Sequence, residues 1–256
     1  MGLLSKEEYD AYCNRFNTAY KYLQSVSYDS YDVVSKICEM RGYSKGSQMF
    51  DMLIKAGFVY LKPESVSFDV LRKIDKDGDL GLFNEKSGNF RLLNRFIFPV
   101  RDMLSNVIAL IGWFPDEKKY ITTPSKLFSK KCLFYGMEQL SKTGIGSSYF
   151  LVEGIFDALS LRSLGYNCVA MMGISASRYT EVLYTLFKNI VAIPDNDFEG
   201  RRVITEDRWK LPTSNGKYVR IKGNCKDIDD VIKSYDVSGV FNDIWSEFDR
   251  IITIEL

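Results

Sequence analysis

Acidic side chains cluster at three places in the second half of this 256-residue chain. Two of the clusters directly follow short apolar segments typical of buried strands, and the third opens a predicted helix. Because the carboxyl ends of parallel strands share one edge of an open α/β sheet, we expect the clusters to converge on one crevice. The acids concerned are Glu153, Asp157, Asp195, Asp197, Asp227 and Asp229.

Gathered carboxylates predict a divalent cation, because like charges repel unless a cation lies between them. Mg²⁺ prefers a few carboxylate oxygens together with water and substrate phosphates, so the pattern favours metal-assisted phosphoryl chemistry. A simpler interpretation is helix capping, which is common for acids at strand ends. Helix capping would explain Glu153 taken alone or Asp157 taken alone. For the Asp227–Asp230 cluster, capping and metal binding are equally good explanations. It explains Asp195 and Asp197 less readily, and the three clusters together favour the metal site.

Composition excludes several other chemistries. The chain contains no histidine, which removes Ser-His-Asp and Cys-His catalysis, His-ligated zinc and a His-ligated haem. Its five cysteines are scattered without a Cys-x-x-Cys pair, so we expect reduced thiols and no zinc. The first residues lack the apolar stretch of a signal peptide, and the longest apolar run, 107–114, is too short to span a bilayer. These features predict a cytoplasmic protein without a membrane partner.

The elements that must position the acids belong to an α/β fold. Residues 1–60 read as amphipathic helices, with Gly42 and Gly57 as stops. Apolar runs at 80–83, 90–93, 96–100 and 107–113 predict strands and hairpins. From about residue 147, apolar runs at 149–152, 168–172, 190–193 and 218–221 alternate with helical stretches, which predicts a parallel sheet. We therefore expect an N-terminal region over 1–146, a catalytic α/β domain over 147–235, and a closing helix over 236–256.

A calcium-loop-like run at Asp75, Asp77 and Asp79 is predicted to be only a solvated turn. The position that requires glycine in a calcium loop holds Leu80, and the twelfth position holds Lys86.

The acidic motifs resemble those of the TOPRIM domain, which primases, topoisomerases and some nucleases share. The matching runs are Val152-Glu153-Gly154-x-x-Asp157, Asp195-x-Asp197-x-x-Gly200-Arg201 and Asp227-x-Asp229. Upstream, Arg95-Phe-Ile-Phe98-Pro99-Val-Arg101-Asp102 and the segments up to Gly136 resemble the basal subdomain of DnaG-type primases of bacteria and phages. The resemblance covers residues 91–235 and implies an α+β basal subdomain followed by a Rossmann-like TOPRIM sheet with flanking helices.

The resemblance implies a DNA-dependent RNA primase core that makes short RNA primers on single-stranded DNA from NTPs. Glu153, Asp195 and Asp197 would be catalytic and would hold two or more Mg²⁺ or Mn²⁺ ions, supported by Asp157, Asp227 and Asp229. Arg95, Lys119 and Lys130 would bind nucleotide or template. Residues 91–142 carry nine Lys/Arg and four Asp/Glu, a net charge of +5 that agrees in sign with a nucleic-acid groove.

Departures from the family pattern leave alternatives open. Gly112-Trp113-Phe114 stands where the family has Gly-Gly-Arg, so one cationic phosphate contact is expected to be missing or replaced. The sequence lacks the zinc ribbon and helicase-binding domain of cellular primases, which predicts a phage or mobile-element protein and a partner in trans, either a zinc-bearing subunit or the replicative helicase. The rival hypotheses are a TOPRIM nuclease and a non-catalytic primase-like module that binds single-stranded DNA or a partner.

Overall fold

The chain divides into two compact units, residues 1–129 and residues 130–256. The computed structural model describes residues 4–116, 119–123, 134–144, 146–172, 175–235 and 253–254. The boundary between the two units, after residue 129, lies earlier in the chain than the domain boundary predicted after residue 146. The physical reason is that Phe134 packs on Tyr184 with ring centroids 5.9 Å apart, and that Tyr135 and Ala170 exchange two backbone hydrogen bonds of 2.9 Å. These contacts join the segment before residue 146 to the second unit.

The first unit combines helices with a small antiparallel sheet. Its helices are α1 (Lys6–Ser25), α2 (Ser30–Arg41), α3 (Gln48–Ala56) and α4 (Phe68–Ile74). Its strands are β1 (Val59–Tyr60), β2 (Phe96–Arg101), β3 (Val107–Phe114) and β4 (Lys119–Thr122), paired in that order. The predicted stops are confirmed, since Gly42 and Gly57 end α2 and α3 in the left-handed conformation that glycine adopts without strain.

The apolar stripe of α1 packs on β3 and forms the centre of the first core. Tyr12, Phe16 and Leu23 are fully buried, as the helical periodicity predicted. Two polar groups fix the register of the packing: the Tyr12 hydroxyl donates to the carbonyl of Ile108 at 3.0 Å, and Asn17 accepts from the N–H of Val107 at 3.1 Å.

Two predicted strands, 80–83 and 90–93, are not formed; the described residues there contain only an isolated bridge between Phe83 and Phe90. For residues 80–83 the reason is the buried carboxylate of Asp75, which accepts hydrogen bonds from the N–H groups of Leu80 at 2.9 Å and Leu82 at 3.0 Å. A side chain thus satisfies donors that a strand would have paired with a neighbour. The run from Asp75 forms a turn, as predicted, but Asp75 is buried rather than solvated; Arg15 forms ion pairs with Asp77 and Asp79.

The second unit contains the predicted parallel sheet. Its strands β5 (Ser148–Val152), β6 (Cys168–Ala170), β7 (Asn189–Ile193) and β8 (Gly216–Tyr218) lie in the order β6-β5-β7-β8, and all three pairings are parallel. The flanking helices are α5 (Leu140–Thr143), α6 (Ile155–Ser163), α7 (Arg178–Tyr184), α8 (Phe198–Thr205) and α9 (Ile228–Ser234). The fully buried Trp209 and Tyr149 belong to the core cluster that packs on this sheet.

The end of the chain differs from the predicted closing helix. Thr253 and Ile254 form β10 (Thr253–Ile254), which pairs in parallel with β9 (Arg220–Ile221). The prediction of a helix is therefore wrong for these two residues, because their backbone groups pair with a neighbouring strand. Residues 236–252 lie outside the described part of the chain. Among the described residues, no helix combines the length and the apolar character that crossing a bilayer requires.

Candidate metal centre

Two neighbouring strands bring Glu153 and Asp195 together. In the parallel pairing of β5 with β7, Val152 lies opposite Ile193. The two strands therefore end at the same edge of the sheet. Oε1 of Glu153 accepts a hydrogen bond from the backbone N–H of Asp195 at 3.3 Å. The convergence expected from the sequence is confirmed for this pair.

A second connection links helices α6 and α9. Asp157, in the first turn of α6, is 7% exposed, and its Oδ1 accepts from the N–H of Asp229 at 3.1 Å. Asp229 is fully buried; its carboxylate accepts from the Ser160 hydroxyl and lies 3.0 Å from Nζ of Lys233. The two buried acids thus hold α9 against α6.

Two of the candidate acids cap helices. Oδ1 of Asp197 accepts from the N–H of Gly200 at 2.9 Å at the start of α8, and Oδ1 of Asp227 accepts from the N–H of Asp230 at 2.9 Å at the start of α9. Glu153 and Asp157 do not cap α6, because its N-cap residue is Gly154 and the helix has no side-chain cap. The capping interpretation therefore applies to Asp197, where the sequence favoured it least, and to Asp227. Each cap uses one carboxylate oxygen, so the other oxygen can still bind a ligand.

The loop after β7 depends on a close approach to Gly200. A Cβ atom at this position would lie 1.9 Å from the backbone oxygen of Asp195, far inside van der Waals contact. The glycine of the Asp-x-Asp-x-x-Gly motif thus lets the first turn of α8 pack directly on the backbone that carries Asp195.

Lys226 links the acids of the β7 loop to those of α9. Its Nζ lies 3.0 Å from Oδ2 of Asp195 and 3.8 Å from Oδ2 of Asp227. Its backbone carbonyl accepts from the N–H of Asn196 at 2.6 Å, and the Asn196 side chain donates to the carbonyl of Cys225 at 3.1 Å. Sequence reasoning did not single out Lys226; the available signal was a cation directly before Asp227 in an otherwise acidic motif.

The protein raises the pKa of most acids in the cluster. Burial, followed by repulsion from Asp195, raises the pKa of Glu153 from 4.5 to about 7. Burial, followed by repulsion from Asp227 and Asp195, raises the pKa of Asp157 well above its usual value. Burial also raises the pKa of Asp195 and of Asp227, although Lys226 opposes the rise at Asp195. An added cation would relieve this repulsion, so the donor set fits a divalent metal ion.

The tightest group of oxygens differs from the predicted catalytic trio. Among the described residues, Asp227, Asp229 and Asp230 offer three carboxylate oxygens within 4.8 Å of one another. Lys233 lies 3.0 Å from Asp229 and 3.3 Å from Asp230, so an internal cation already balances part of this group. Asp230 was not among the predicted ligands, although it directly follows the Asp227-x-Asp229 motif.

The basic candidates lie in the first unit or outside the described residues. The half-buried Arg95 has its guanidinium 5.4 Å from the ring centroid of Phe114, and its buried Nη1 has no hydrogen-bond partner among the described residues. A Cβ at Gly112 would lie 2.7 Å from Cδ of Arg95, so this glycine makes room for the arginine. Lys119 is exposed at the start of β4, and Lys130 lies outside the described residues.

The unusual Gly112-Trp113-Phe114 run is explained by packing. Trp113 is 4% exposed and packs on Phe96 with ring centroids 5.5 Å apart, while Phe114 supports the Arg95 guanidinium. The aromatic pair therefore stabilises the sheet and orients a cation.

Comparison with known proteins agrees with this arrangement. Residues 150–232 match the family described as Toprim-like, a segment that contains all six candidate acids. Over 116 residues the chain is 34% identical to a DNA primase of Clostridium acetobutylicum, a match that covers 43% of this chain and 20% of that protein. The chain therefore contains a Toprim-like segment and is similar in sequence to DNA primases.

Solved primase structures share the fold. A DnaG primase catalytic domain bound to single-stranded DNA superposes with a TM-score of 0.68 at 17% identity, covering 94% of this chain and 83% of that one. The zinc-binding and RNA polymerase domains of the Aquifex aeolicus primase superpose with a TM-score of 0.70 at 22% identity, covering 95% and 62%. At these identities the likeness establishes the fold. The chain matches only about a fifth of the length of the first curated primase relative.

Proposed function

We propose that this chain is the catalytic core of a DNA primase, which joins ribonucleotides into short RNA primers on a single-stranded DNA template. The observation that carries the proposal is the meeting of Glu153 with Asp195 at the edge of the parallel sheet, at a 3.3 Å hydrogen bond, in a chain whose relatives are DNA primases. A single-stranded DNA complex of a primase catalytic domain with this fold supports the choice of template.

Glu153, Asp195 and Asp197 would bind Mg²⁺ or Mn²⁺, with Asp157, Asp227 and Asp229 in support. When bound, such ions lower the pKa of an attacking hydroxyl and stabilise the leaving oxygens in phosphoryl transfer. The protein contributes by holding the segments that carry the acidic side chains in fixed positions. Asp157 and Asp229 hold α9 against α6 through a 3.1 Å hydrogen bond, while Asn196 ties the β7 loop to the segment before α9.

Arg95, Lys119 and Lys130 would bind the phosphates of nucleotides or template. Support comes from Arg95, whose buried Nη1 lacks a hydrogen-bond partner within the described part of the chain; a phosphate oxygen would provide one. Phe114 and Gly112 hold the guanidinium in place for this contact. The proposal includes a partner in trans, a replicative helicase or a zinc-bearing subunit, and action in the cytoplasm, where template and ribonucleotides are available.

The test is primer synthesis by the full chain on a single-stranded template with labelled NTPs and Mg²⁺ or Mn²⁺. We expect RNA products that require the template and disappear in the Asp195→Ala/Asp197→Ala variant. The matched control is Glu64→Ala/Asp69→Ala, which removes two exposed acids of the first unit and should leave synthesis unchanged. Circular dichroism establishes that both variants fold. Cleavage of the template would instead indicate a TOPRIM nuclease, and synthesis retained without Asp195 and Asp197 would contradict the assignment.

A further inference from the structure

The first unit contains an aromatic cleft remote in sequence from the acidic motifs. Its volume is about 200 Å³, and it lies where the start of α2 meets β1 and β2. The residues that line it are Tyr28, Asp32, Val33, Lys36, Tyr60 and Phe96.

Backbone hydrogen bonds fix the segments that carry the aromatic rings of the cleft. The N–H of Tyr28 donates to the carbonyl of Tyr60 at 2.9 Å, and the N–H of Lys62 donates to the carbonyl of Val26 at 3.1 Å. Tyr60 lies opposite Phe96 in the β1–β2 pairing, with ring centroids 4.9 Å apart. The Tyr28 and Tyr60 rings are 6.2 Å apart. The backbone positions of Tyr28, Tyr60 and Phe96 are therefore set by the fold, which places their rings near one another.

Two lysines accompany the two tyrosines. Nζ of Lys36 lies 5.3 Å from the centroid of the Tyr60 ring, and Nζ of Lys62 lies 5.4 Å from that of Tyr28. Tyr28 is 42% exposed, unusually high for a large aromatic residue within a cleft. Aromatic faces for stacking together with cations for phosphates are the combination by which proteins bind single-stranded nucleic acid without a fixed sequence.

We propose that this cleft binds one unstacked base of a single-stranded DNA, with Lys36 and Lys62 contacting the phosphates on either side of that base. The inference rests on the proposed function, which supplies single-stranded DNA as the occupant. The size of the cleft supports a base within a strand, because sites for whole small molecules occupy roughly 300–1,000 Å³. This contact is separate from the candidate phosphate ligand Arg95.

Asp32 adds a base preference. It lies one turn before Lys36 on α2, and both side chains line the cleft. Cytosine offers a carboxylate its exocyclic amino group, whereas thymine offers only a ring N3–H that is flanked by two carbonyl oxygens, which repel the carboxylate. We therefore expect tighter binding of oligo(dC) than of oligo(dT), and loss of the difference in Asp32→Asn.

The test is fluorescence anisotropy of labelled single-stranded oligo(dC) with the full chain in a chelator. Tyr28→Ala should weaken binding at least about fivefold, because stacking on an aromatic side chain contributes at least that much per base. Tyr28→Phe, which keeps the ring, should restore the affinity. Lys36→Ala/Lys62→Ala should reduce the slope of log K against log[salt] by about 1.4, the value for two phosphate contacts on a single strand.

Matched controls separate the cleft from general surface effects. Tyr31→Ala removes a different exposed tyrosine, on α2, that packs on Phe50 and does not line the cleft, and Lys45→Ala/Lys55→Ala removes two exposed lysines of the same unit. Both controls should bind like the unmodified protein. Equal losses in the controls and the cleft variants, or no loss in the cleft variants, would overturn the inference.

The two proposals fail in distinguishable ways. Asp195→Ala/Asp197→Ala should abolish primer synthesis and leave cleft-dependent binding of oligo(dC) intact. Primer synthesis with affinity and salt slope unaffected by the cleft variants would refute the cleft while the primase function stands. Cleft-dependent binding without any template-dependent synthesis would support the cleft and refute the primase function.

Discussion

The carboxylate of Glu153 accepts a hydrogen bond from the backbone N–H of Asp195 across two adjacent parallel strands, at 3.3 Å. The same contact sets a carboxylate beside a second acidic side chain, and burial followed by repulsion from Asp195 raises the pKa of Glu153 to about 7. The backbone therefore holds the two residues together although their negative charges repel. Because of this repulsion, we expect the stability and the cation affinity of the protein to depend on pH, on bound metal and on substitution of these residues.

Without metal, stability should fall as pH rises. The folded pKa of Glu153, about 7, exceeds its ordinary 4.5, so its protonation stabilises the fold fully below about 4.5, and this contribution is lost as pH rises through 7. Glu153→Gln should remove this part of the pH dependence, at most about 3 kcal/mol between pH 4.5 and 8. Urea unfolding in a chelator measures it, with Glu64→Gln as the exposed control. An unchanged pH slope in Glu153→Gln would contradict the shifted pKa.

Divalent cations should stabilise the folded protein. An ion that binds only the folded state at a hundredfold excess over its Kd adds about 2.7 kcal/mol. We expect Mg²⁺ or Mn²⁺ to raise the melting temperature of the unmodified chain and of Glu64→Ala/Asp69→Ala. Asp195→Ala/Asp197→Ala should show no such rise in differential scanning fluorimetry. An equal rise in this variant would indicate that the stabilising ion binds elsewhere.

Lys226→Ala should increase the affinity for divalent cations severalfold. The ammonium group lies 3.0 Å from Asp195 and 3.8 Å from Asp227, where its charge opposes that of an added cation. Because the lysine side chain is 59% exposed, the metal-free protein should lose only about 1 kcal/mol or less of stability.

Isothermal titration calorimetry with Mn²⁺ measures the effect of Lys226. Lys210→Ala is the matched control, since this equally exposed lysine pairs with Glu181. Weaker Mn²⁺ binding in Lys226→Ala would show that the lysine chiefly holds the loop in place.

Gly200→Ala should destabilise the protein despite the better helix propensity of alanine. At an open helical site the exchange stabilises by about 1 kcal/mol. Here the added Cβ would lie 1.9 Å from the backbone oxygen of Asp195, so the loop must shift at a cost of about 1–3 kcal/mol. Chemical denaturation measures the loss, and cation binding should weaken with it. Thr205→Ala, an exposed change on α8, is the control; a stabilised Gly200→Ala would contradict the close approach.

Much of the fold could be predicted from local patterns. Helix stops at Gly42 and Gly57 follow from glycine's freedom in the left-handed region, and the parallel strands follow from short apolar runs that alternate with helical periods. Prediction failed at residues 80–83, where the buried carboxylate of Asp75 takes the donors of Leu80 and Leu82. A side chain that takes the backbone donors of a strand in this way leaves no trace in the periodicity of the apolar residues.

The sequence by itself determined which residues could form the acidic centre, because strand ends in a parallel sheet must share an edge and Asp195 and Glu153 stand directly at those ends. Only the tertiary structure decided how each carboxylate is used. Asp197 and Asp227 cap helices, Asp157 binds the backbone of α9, and Lys226 balances Asp195. The reason is physical: the partners of Asp157 and Asp195 are 72 and 31 residues away in the chain, and only packing brings them within reach, whereas the caps of Asp197 and Asp227 are local contacts three residues along the chain.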